Sequence, residues 1–283
     1  MPNWYLDHLA CPDCRQPLAV GAGPCACGFA VGESTPLDLR PRRPERRTLD
    51  VSLRSAAADL ESCLVERPAH RYAGPRAERD SSELFSAIEP SLQRGMRLLD
   101  LGCGQRDQAA CAEHYGLEYV GVDYASPRAD LLADAHAIPF RDGTFDVVLS
   151  YAVLEHLYHP FAAASEVARV LRPGGLFVGT VAQGEPFHDS YFHHTAWGLL
   201  GVLSSAGLRM TRCWPSYDTL HALAGMGRYP RVQRLLIELV HRIGTAAPFL
   251  APRKLFWSAR QKAVNDLHRA ASIAFVAEKL VDR

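Results

Sequence analysis

The sequence has no excess of charge of either sign. Its 283 residues carry 31 Lys and Arg against 31 Asp and Glu, which argues against a surface given over as a whole to a polyanion. It has no basic, apolar opening of the secretory kind. Met1 to Cys14 reads MPNWYLDHLACPDC, with two Asp and a His, so a cytoplasmic setting is expected. It also has no run suited to crossing a membrane: the longest stretch free of Asp, Glu, Lys and Arg, Ser190 to Leu208, holds His193, His194 and several Gly and Ser. That stretch suits a buried helix, and no stable membrane insertion is expected. There is no internal repeat, and no Gly-Lys-Ser/Thr that would make a P-loop. What is present is a 48% hydrophobic chain, long enough for one large domain and a smaller one.

Met1 to Leu39 is rich in Cys, Pro and Gly and too short to be held together by apolar burial. The run Arg40-Pro41-Arg42-Arg43-Pro44-Glu45-Arg46-Arg47 joins fixed proline φ angles to like-charge repulsion and reads as a solvated linker. The organisation expected is a small domain over 1–39, a linker and helical segment over 40–80, and a main domain over 81–283. In the main domain SSELFSAIEPSLQ reads as an amphipathic helix capped by Ser81 or Ser82, and Arg97 to Leu101 as an apolar strand entering Gly102. Strands at Glu118–Val122, Phe145–Ser150 and Gly175–Thr180 alternate with helices such as Phe161 to Leu171. Thr195 to Ala206 reads as one more helix and Leu208 to Cys213 as one more strand. This alternation predicts an α/β fold whose parallel sheet is covered on both faces. Residues 218–269 break the rhythm and read as a helical insertion, after which Ala271 to Leu280 suits a returning strand.

Four of the eight cysteines crowd into the first 27 residues. In a reducing compartment that is not a disulfide framework. Cys11-Pro12-Asp13-Cys14 and Cys25-Ala26-Cys27-Gly28 offer four thiolates from two tight turns, the arrangement by which zinc crosslinks two loops and leaves no open coordination position. The second half is C-x-C, so His8 stands as a substitute ligand, and a redox pair at Cys11 and Cys14 is the competing reading. Cys63, Cys103, Cys111 and Cys213 are scattered and read as small core residues.

Asp100-Leu101-Gly102-Cys103-Gly104 sits where an apolar strand ends and a helix should begin, the place where open parallel sheets bind ligands. Asp123 ends the next strand, where a carboxylate can accept from both hydroxyls of a ribose. A dinucleotide fingerprint needs glycine three residues after Gly104, but Asp107 is there, and an acidic group at that point repels a pyrophosphate. A nucleoside without phosphates is the expected ligand.

LLDLGCG (Leu98 to Gly104), VGVDYA (Val120 to Ala125), ADAHAIPFRDGTFDVVLS (Ala133 to Ser150), LEHLYHP (Leu154 to Pro160) and EVARVLRPGGLFVG (Glu166 to Gly179) resemble, in order, the motifs of class I S-adenosylmethionine-dependent methyltransferases. The resemblance spans roughly Ser81 to Cys213 and the final strand. It implies a Rossmann-like, mostly parallel sheet of seven strands with the last antiparallel, preceded here by the zinc ribbon and interrupted by the helical insertion. It also implies S-adenosylmethionine as cofactor. Asp100, Gly102, Cys103 and Gly104 would shape the methionine end, Asp123 and Tyr124 the ribose, Asp134 and Ala135 the adenine, and Ser150 and Tyr151 the sulfonium. Arg106 stands where many members have a third glycine. The amino-terminal segment resembles short zinc ribbons fused to some methyltransferases, including ribosomal RNA guanine methyltransferases.

Methyl transfer is an in-line displacement that needs alignment and exclusion of water, with a base only for some acceptors. His156, His159, His188, His193 and His194 cluster near the expected carboxyl edge with Tyr151. The catalytic candidates are His193 and His194 first, then His156 and Tyr151. Charge is segregated along the chain: Arg209 to Arg269 holds eleven Lys/Arg and three Asp/Glu, whereas Leu98 to Val170 holds four and eleven. The basic insertion, with Leu220, Leu223, Met226, Leu235, Leu236, Phe249, Leu250, Phe256 and Trp257, would suit a lid over a hydrophobic small-molecule acceptor. Two other readings stand beside it: an RNA methyltransferase whose ribbon and lid grip phosphates, and a zinc-ribbon scaffold without activity. The sequence leaves the oligomeric state open.

Overall fold

The computed structural model describes residues 3–32, 34–42, 60–65, 67–68, 82–185, 189–218, 232–233, 235–236, 239, 264 and 266–281. The apolar strands form a single sheet. In chain order these are β1 (Leu37–Asp38), β2 (Arg97–Leu101), β3 (Glu118–Asp123), β4 (Leu131–Leu132), β5 (Phe145–Tyr151), β6 (Leu171–Ala182), β7 (Leu208–Asp218) and β8 (Ala270–Lys279), arranged β1-β4-β3-β2-β5-β6-β8-β7. Pairing is parallel from β1 through β6, and β8 is antiparallel to both β6 and β7. The sheet therefore has eight strands where seven were expected. The additional one is β1, which pairs Leu37 with Leu131 and Asp38 with Leu132. A two-residue strand has no alternation to read.

Helices α2 (Ser82–Ile88) and α3 (Ala109–His114) cover one face, where Phe85, Ile88 and Cys111 pack against Leu98, Val147 and Val178. The other face carries α4 (Pro160–Val170) and α5 (Ala196–Ser205), whose Ala163, Val167, Leu199 and Leu203 share a core with Leu99, Val148 and Phe177. A short α1 (Leu60–Cys63) leads into Leu64, which bridges to Cys213. Each of the two longer helices starts where a side chain accepts from an amide of the first turn: His159 Nδ1 from Ala162 N at 3.2 Å ahead of Pro160, and Thr195 Oγ1 from Gly198 N at 3.1 Å.

The cysteine-bearing segment is built into the edge of this sheet. Leu9, Phe29 and Leu39 are buried in the same core as Phe140 and Val167, and Leu9 pairs with Phe140. Arg40 is not solvated linker: its guanidinium takes both oxygens of Asp38, at 3.0 and 2.8 Å, and lies 5.3 Å from the centre of the Tyr124 ring. Arg42 N donates to Asp13 Oδ1 at 2.9 Å. A carboxylate within reach outweighs the like-charge repulsion that a linker reading relies on. Arg43 to Arg47 lie outside the described residues, as does most of the insertion. Within the insertion Val232, Leu235, Leu236 and Leu239 are helical and spaced to share one face. That face is turned outward, with Leu235 66% and Leu236 56% exposed, so these two do not wall a closed pocket here. Leu220, Leu223, Met226, Phe249, Leu250, Phe256 and Trp257 lie outside the described residues. Among the described residues no helix is long and apolar enough to cross a membrane.

Candidate active site

β2 runs into a turn made of residues that tolerate positive φ: Gly102 at +73° and Gly104 at +52°. The amides of Gly102 and Cys103 both donate to Val122 O, at 2.8 and 2.9 Å, folding the turn over the end of β3. Asp123 then fixes it. One carboxylate oxygen accepts from Gly104 N at 3.0 Å, and the other from Ala125 N and Ser126 N, each at 2.9 Å. A methyl group added at Gly104 would meet nothing within 4 Å, so bare backbone faces open space there. At Gly102 a methyl would lie 2.5 Å from Val153 Cγ2. Gly102→Ala is therefore expected to cost about 2–4 kcal/mol, from left-handed strain plus overpacking. A thermal unfolding midpoint equal to that of the wild type would refute this.

Asp100 and Cys103 support the turn from beneath. The Cys103 sulfur packs against Gly121, and both side chains are buried, so any part they take in holding a ligand is confined to their backbone. Asp100 is 1% exposed and accepts from Tyr119 Oη at 2.7 Å. Burial pushes its carboxyl up to about 7, against the opposing effects of the Tyr119 hydrogen bond and the Arg106 charge. A folded-state value above that of the unfolded chain favours the folded state at low pH, and this contribution is lost as pH rises from about 4 through about 7. Asp100→Asn is thus expected to stabilise the chain at about pH 8 by on the order of a few kcal/mol and to give little at about pH 4. Denaturant titrations at the two pH values would show it, and an equal difference at both would contradict it.

Arg106 occupies the third glycine position with φ +66°, a left-handed conformation in a non-glycine residue. It is held there by an ion pair with Asp130 and by the Tyr119 ring, 5.0 Å from its guanidinium carbon. The second such residue here is Ala152, at +55°, directly after β5. Its amide donates to both the carbonyl and the hydroxyl of Thr180, each at 3.1 Å. Strain held by surrounding contacts at the ends of β2 and β5 brackets the site.

Asp134 precedes a 3-10 turn (Ala135–Ala137) and accepts from His136 N at 2.9 Å and His136 Nδ1 at 2.6 Å. The His136 ring stacks on Tyr158 with centroids 4.2 Å apart. Tyr124 is exposed and the Ser150 side chain fully buried; Tyr151 ends β5. Tyr151 lines a cavity of about 360 Å³ together with Glu83, Glu155, Thr180, Glu185 and Ser216. Glu83, 2% exposed, accepts from Arg67 Nε at 2.6 Å and from Ser216 Oγ. Glu155, fully buried, accepts from Ala182 N at 2.9 Å and ties the turn after β5 to the end of β6.

A second cavity, about 320 Å³, is lined by Tyr158, His159, Phe161, Phe192, His193 and His194. His194 is 6% exposed. Burial lowers its pKa below the usual histidine value, and the Leu154 carbonyl opposes this by accepting from the ring. Its buried Nε2 has no partner among the described residues, which assigns the bond to Leu154 to Nδ1–H. The expected catalytic residues are therefore divided: Tyr151 lines one cavity, His193 and His194 the other, and His156 lies exposed on the turn Leu154–His156. His188 lies outside the described residues. Glu83, Glu185, Thr180 and Ser216 carry no sequence signal, because each is an ordinary polar residue until the sheet brings them together.

Cys11, Cys14, Cys25 and Cys27 place their sulfurs within 4.8 Å of one another, with Cys11 to Cys27 at 3.5 Å and Cys14 to Cys25 at 3.4 Å. Tetrahedral zinc with four thiolates at about 2.3 Å sets sulfurs about 3.8 Å apart, so this donor set fits that ion. A disulfide would need about 2.05 Å. His8 is not part of the cluster. Cys63, Cys103, Cys111 and Cys213 are buried and form no disulfide among the described residues.

Residues 99–179 match the family model described as methyltransferase domain. An uncharacterized methyltransferase of Mycobacterium sp. (strain JLS) is 37% identical over 108 residues, covering 34% of this chain and 43% of that protein. A ubiquinone biosynthesis O-methyltransferase of Cereibacter sphaeroides (strain ATCC 17029 / ATH 2.4.9) is 29% identical over 141 residues, covering 42% of this chain and 57% of that protein. Among solved structures, the [4+2]-cyclase SpnF aligns with a TM-score of 0.47 at 20% identity, over 78% of this chain and 89% of that one. Residues 99–179 are thus similar to a methyltransferase domain. The match spans less than half the length of the mycobacterial relative.

Proposed function

We propose that the protein transfers a methyl group from S-adenosylmethionine to a hydroxyl of a small-molecule acceptor, with zinc held by Cys11, Cys14, Cys25 and Cys27 as a structural ion. The observation that supports this best is the row of Gly104, Asp123, Asp134 and Tyr151 along the carboxyl edge of the sheet, with two cavities of about 320 and 360 Å³ beside it. Cavities of that size suit a small molecule. When bound, the cofactor supplies an electrophilic methyl on a sulfonium. Gly104 leaves room for its close approach, Asp123 is placed for the ribose hydroxyls, Asp134 and Ala135 for the adenine, and Ser150 and Tyr151 border the reacting end. With Nδ1–H given to Leu154, neutral His194 presents Nε2 as an acceptor and would take the proton of the acceptor hydroxyl as the new bond forms. The ubiquinone biosynthesis O-methyltransferase relative agrees with an oxygen acceptor. Incubation with labelled S-adenosylmethionine and two pools, total RNA and a small-molecule extract, tests the reading. Label in the small-molecule fraction is expected; label in RNA alone would replace this reading with the RNA methyltransferase.

A further inference from the structure

The cysteine-bearing segment meets the sheet at places that bracket one short stretch of chain. Ahead of Cys11, His8 O accepts from Arg141 N at 2.9 Å and Ala10 N donates to Pro139 O at 3.1 Å. Beyond Cys27, β1 pairs with β4, and Leu39 N donates to Leu132 O at 2.8 Å. Between Leu132 and Pro139 lies the stretch with Asp134 and Ala135, clamped on both flanks.

Two side chains reinforce the clamp. Arg15 lies in the turn of the first cysteine pair, where its amide donates to Cys11 O at 2.7 Å. Its guanidinium meets Glu166 at 2.6 Å. Glu166 also holds Arg169, at 3.0 and 2.9 Å, and Arg169 donates to the carbonyls of Ile138 and Phe140 at 2.8 and 2.7 Å. Arg40, gripped by Asp38, lies over the Tyr124 ring and donates to Tyr124 O at 3.3 Å, one residue past Asp123.

We infer that the four-cysteine metal site governs the nucleoside end of the cofactor site, so that metal and adenosyl ligand each strengthen the binding of the other. The inference rests on the reading of the cofactor site given above. Leu9, Phe29 and Leu39 dock the segment on the sheet by burial, whereas its two cysteine-bearing turns meet at the four thiols, so the geometry of those turns depends on the metal. Losing the metal loosens these turns, and with them the Arg15 link to Glu166 and the hold on both flanks of Asp134. Linkage then requires the effect to be reciprocal.

The test uses the full chain loaded with zinc, with S-adenosylhomocysteine as the adenosyl probe. Transfer of zinc to a colorimetric chelator should need more chelator, by about fivefold, when the probe is saturating. By calorimetry Arg40→Ala should bind the probe about threefold to tenfold more weakly while zinc content and unfolding midpoint stay at wild-type values. Because this variant keeps its metal, the test stands even where zinc-free protein unfolds. Zinc transfer unaffected by the probe would overturn the coupling, as would a chain that takes up no zinc. If wild-type zinc-loaded protein binds no probe, it is the reading of the cofactor site that fails.

Discussion

Asp123→Ala is expected to weaken S-adenosylhomocysteine binding by about 100-fold, the equivalent of losing two charge-assisted hydrogen bonds to a ribose. Its structural work adds to the loss. The carboxylate holds the amides of Gly104, Ala125 and Ser126, and its removal leaves three donors to find water or go unpaired. Asp123→Asn separates the two contributions. One amide oxygen can serve the pair Ala125 and Ser126, but the amide nitrogen then faces the Gly104 N–H, donor against donor. The Asn variant should therefore lose affinity as well, with a smaller drop in unfolding midpoint than the Ala variant. Calorimetric titration of both decides the matter. Affinity within threefold of the wild type in Asp123→Ala would remove Asp123 from the cofactor site.

The strands that pack on both faces were legible because burial on both faces writes a continuous apolar run. Arg97–Leu101, Glu118–Asp123 and Phe145–Tyr151 lie within a residue of where the sequence puts them. β6 and β7 run longer than expected, to Ala182 and Asp218. Their extensions, through Arg172-Pro173-Gly174 at one end and Pro215-Ser216-Tyr217 at the other, contain residues that local propensity assigns to turns. Pairing with β8 overrides that propensity at Pro215 and Tyr217, whereas Arg172 to Gly175 keep it: they fall in a register break opposite β5, with Gly174 at φ +72°. The linker reading failed at Arg40 for a related reason: composition sees five arginines and two prolines, whereas position supplies Asp38 two residues away and Tyr124 across the chain.

The site divides in the same way. Gly102, Gly104 and Asp123 were legible because a tight turn and the carboxylate after the next strand are local features with fixed spacing. The four cysteines were legible because thiol chemistry needs few residues close together. The second cavity was legible only as a run of histidines, with nothing in the spacing to say which was buried. Glu155 reads as a helix cap, but it is a buried carboxylate whose partner is the Ala182 amide, 27 positions away. Contacts between distant segments leave no periodic trace, and the two cavities proposed for the acceptor are made of them.

His194→Ala is expected to lower the turnover of the methylated acceptor by about 100-fold to 1,000-fold, the range for removing a positioned general base. His193→Ala should keep most of its activity, because His193 is exposed whereas His194 is the buried histidine whose Nε2 lacks a partner. The pH dependence gives the sharper test. Burial lowers the His194 pKa, so the imidazole is already neutral and able to accept a proton at neutral pH. Wild-type turnover should be flat from about pH 7 to 8 and fall on the acid side, below the ordinary histidine value of about 6.5. Stability follows the same sign: a histidine whose folded-state pKa is depressed contributes fully above the unfolded value and loses that contribution as pH falls through the folded one. His194→Ala should flatten the acid limb in both turnover and stability. His194→Gln separates shape from protonation, because it can still bond to Leu154 but cannot take up a proton, and it should be nearly as slow as the alanine variant. If His194→Gln kept wild-type turnover with the acid limb intact, His194 would be a packing residue, and the proton would have to leave by way of the cavity that holds Glu155 and Glu185.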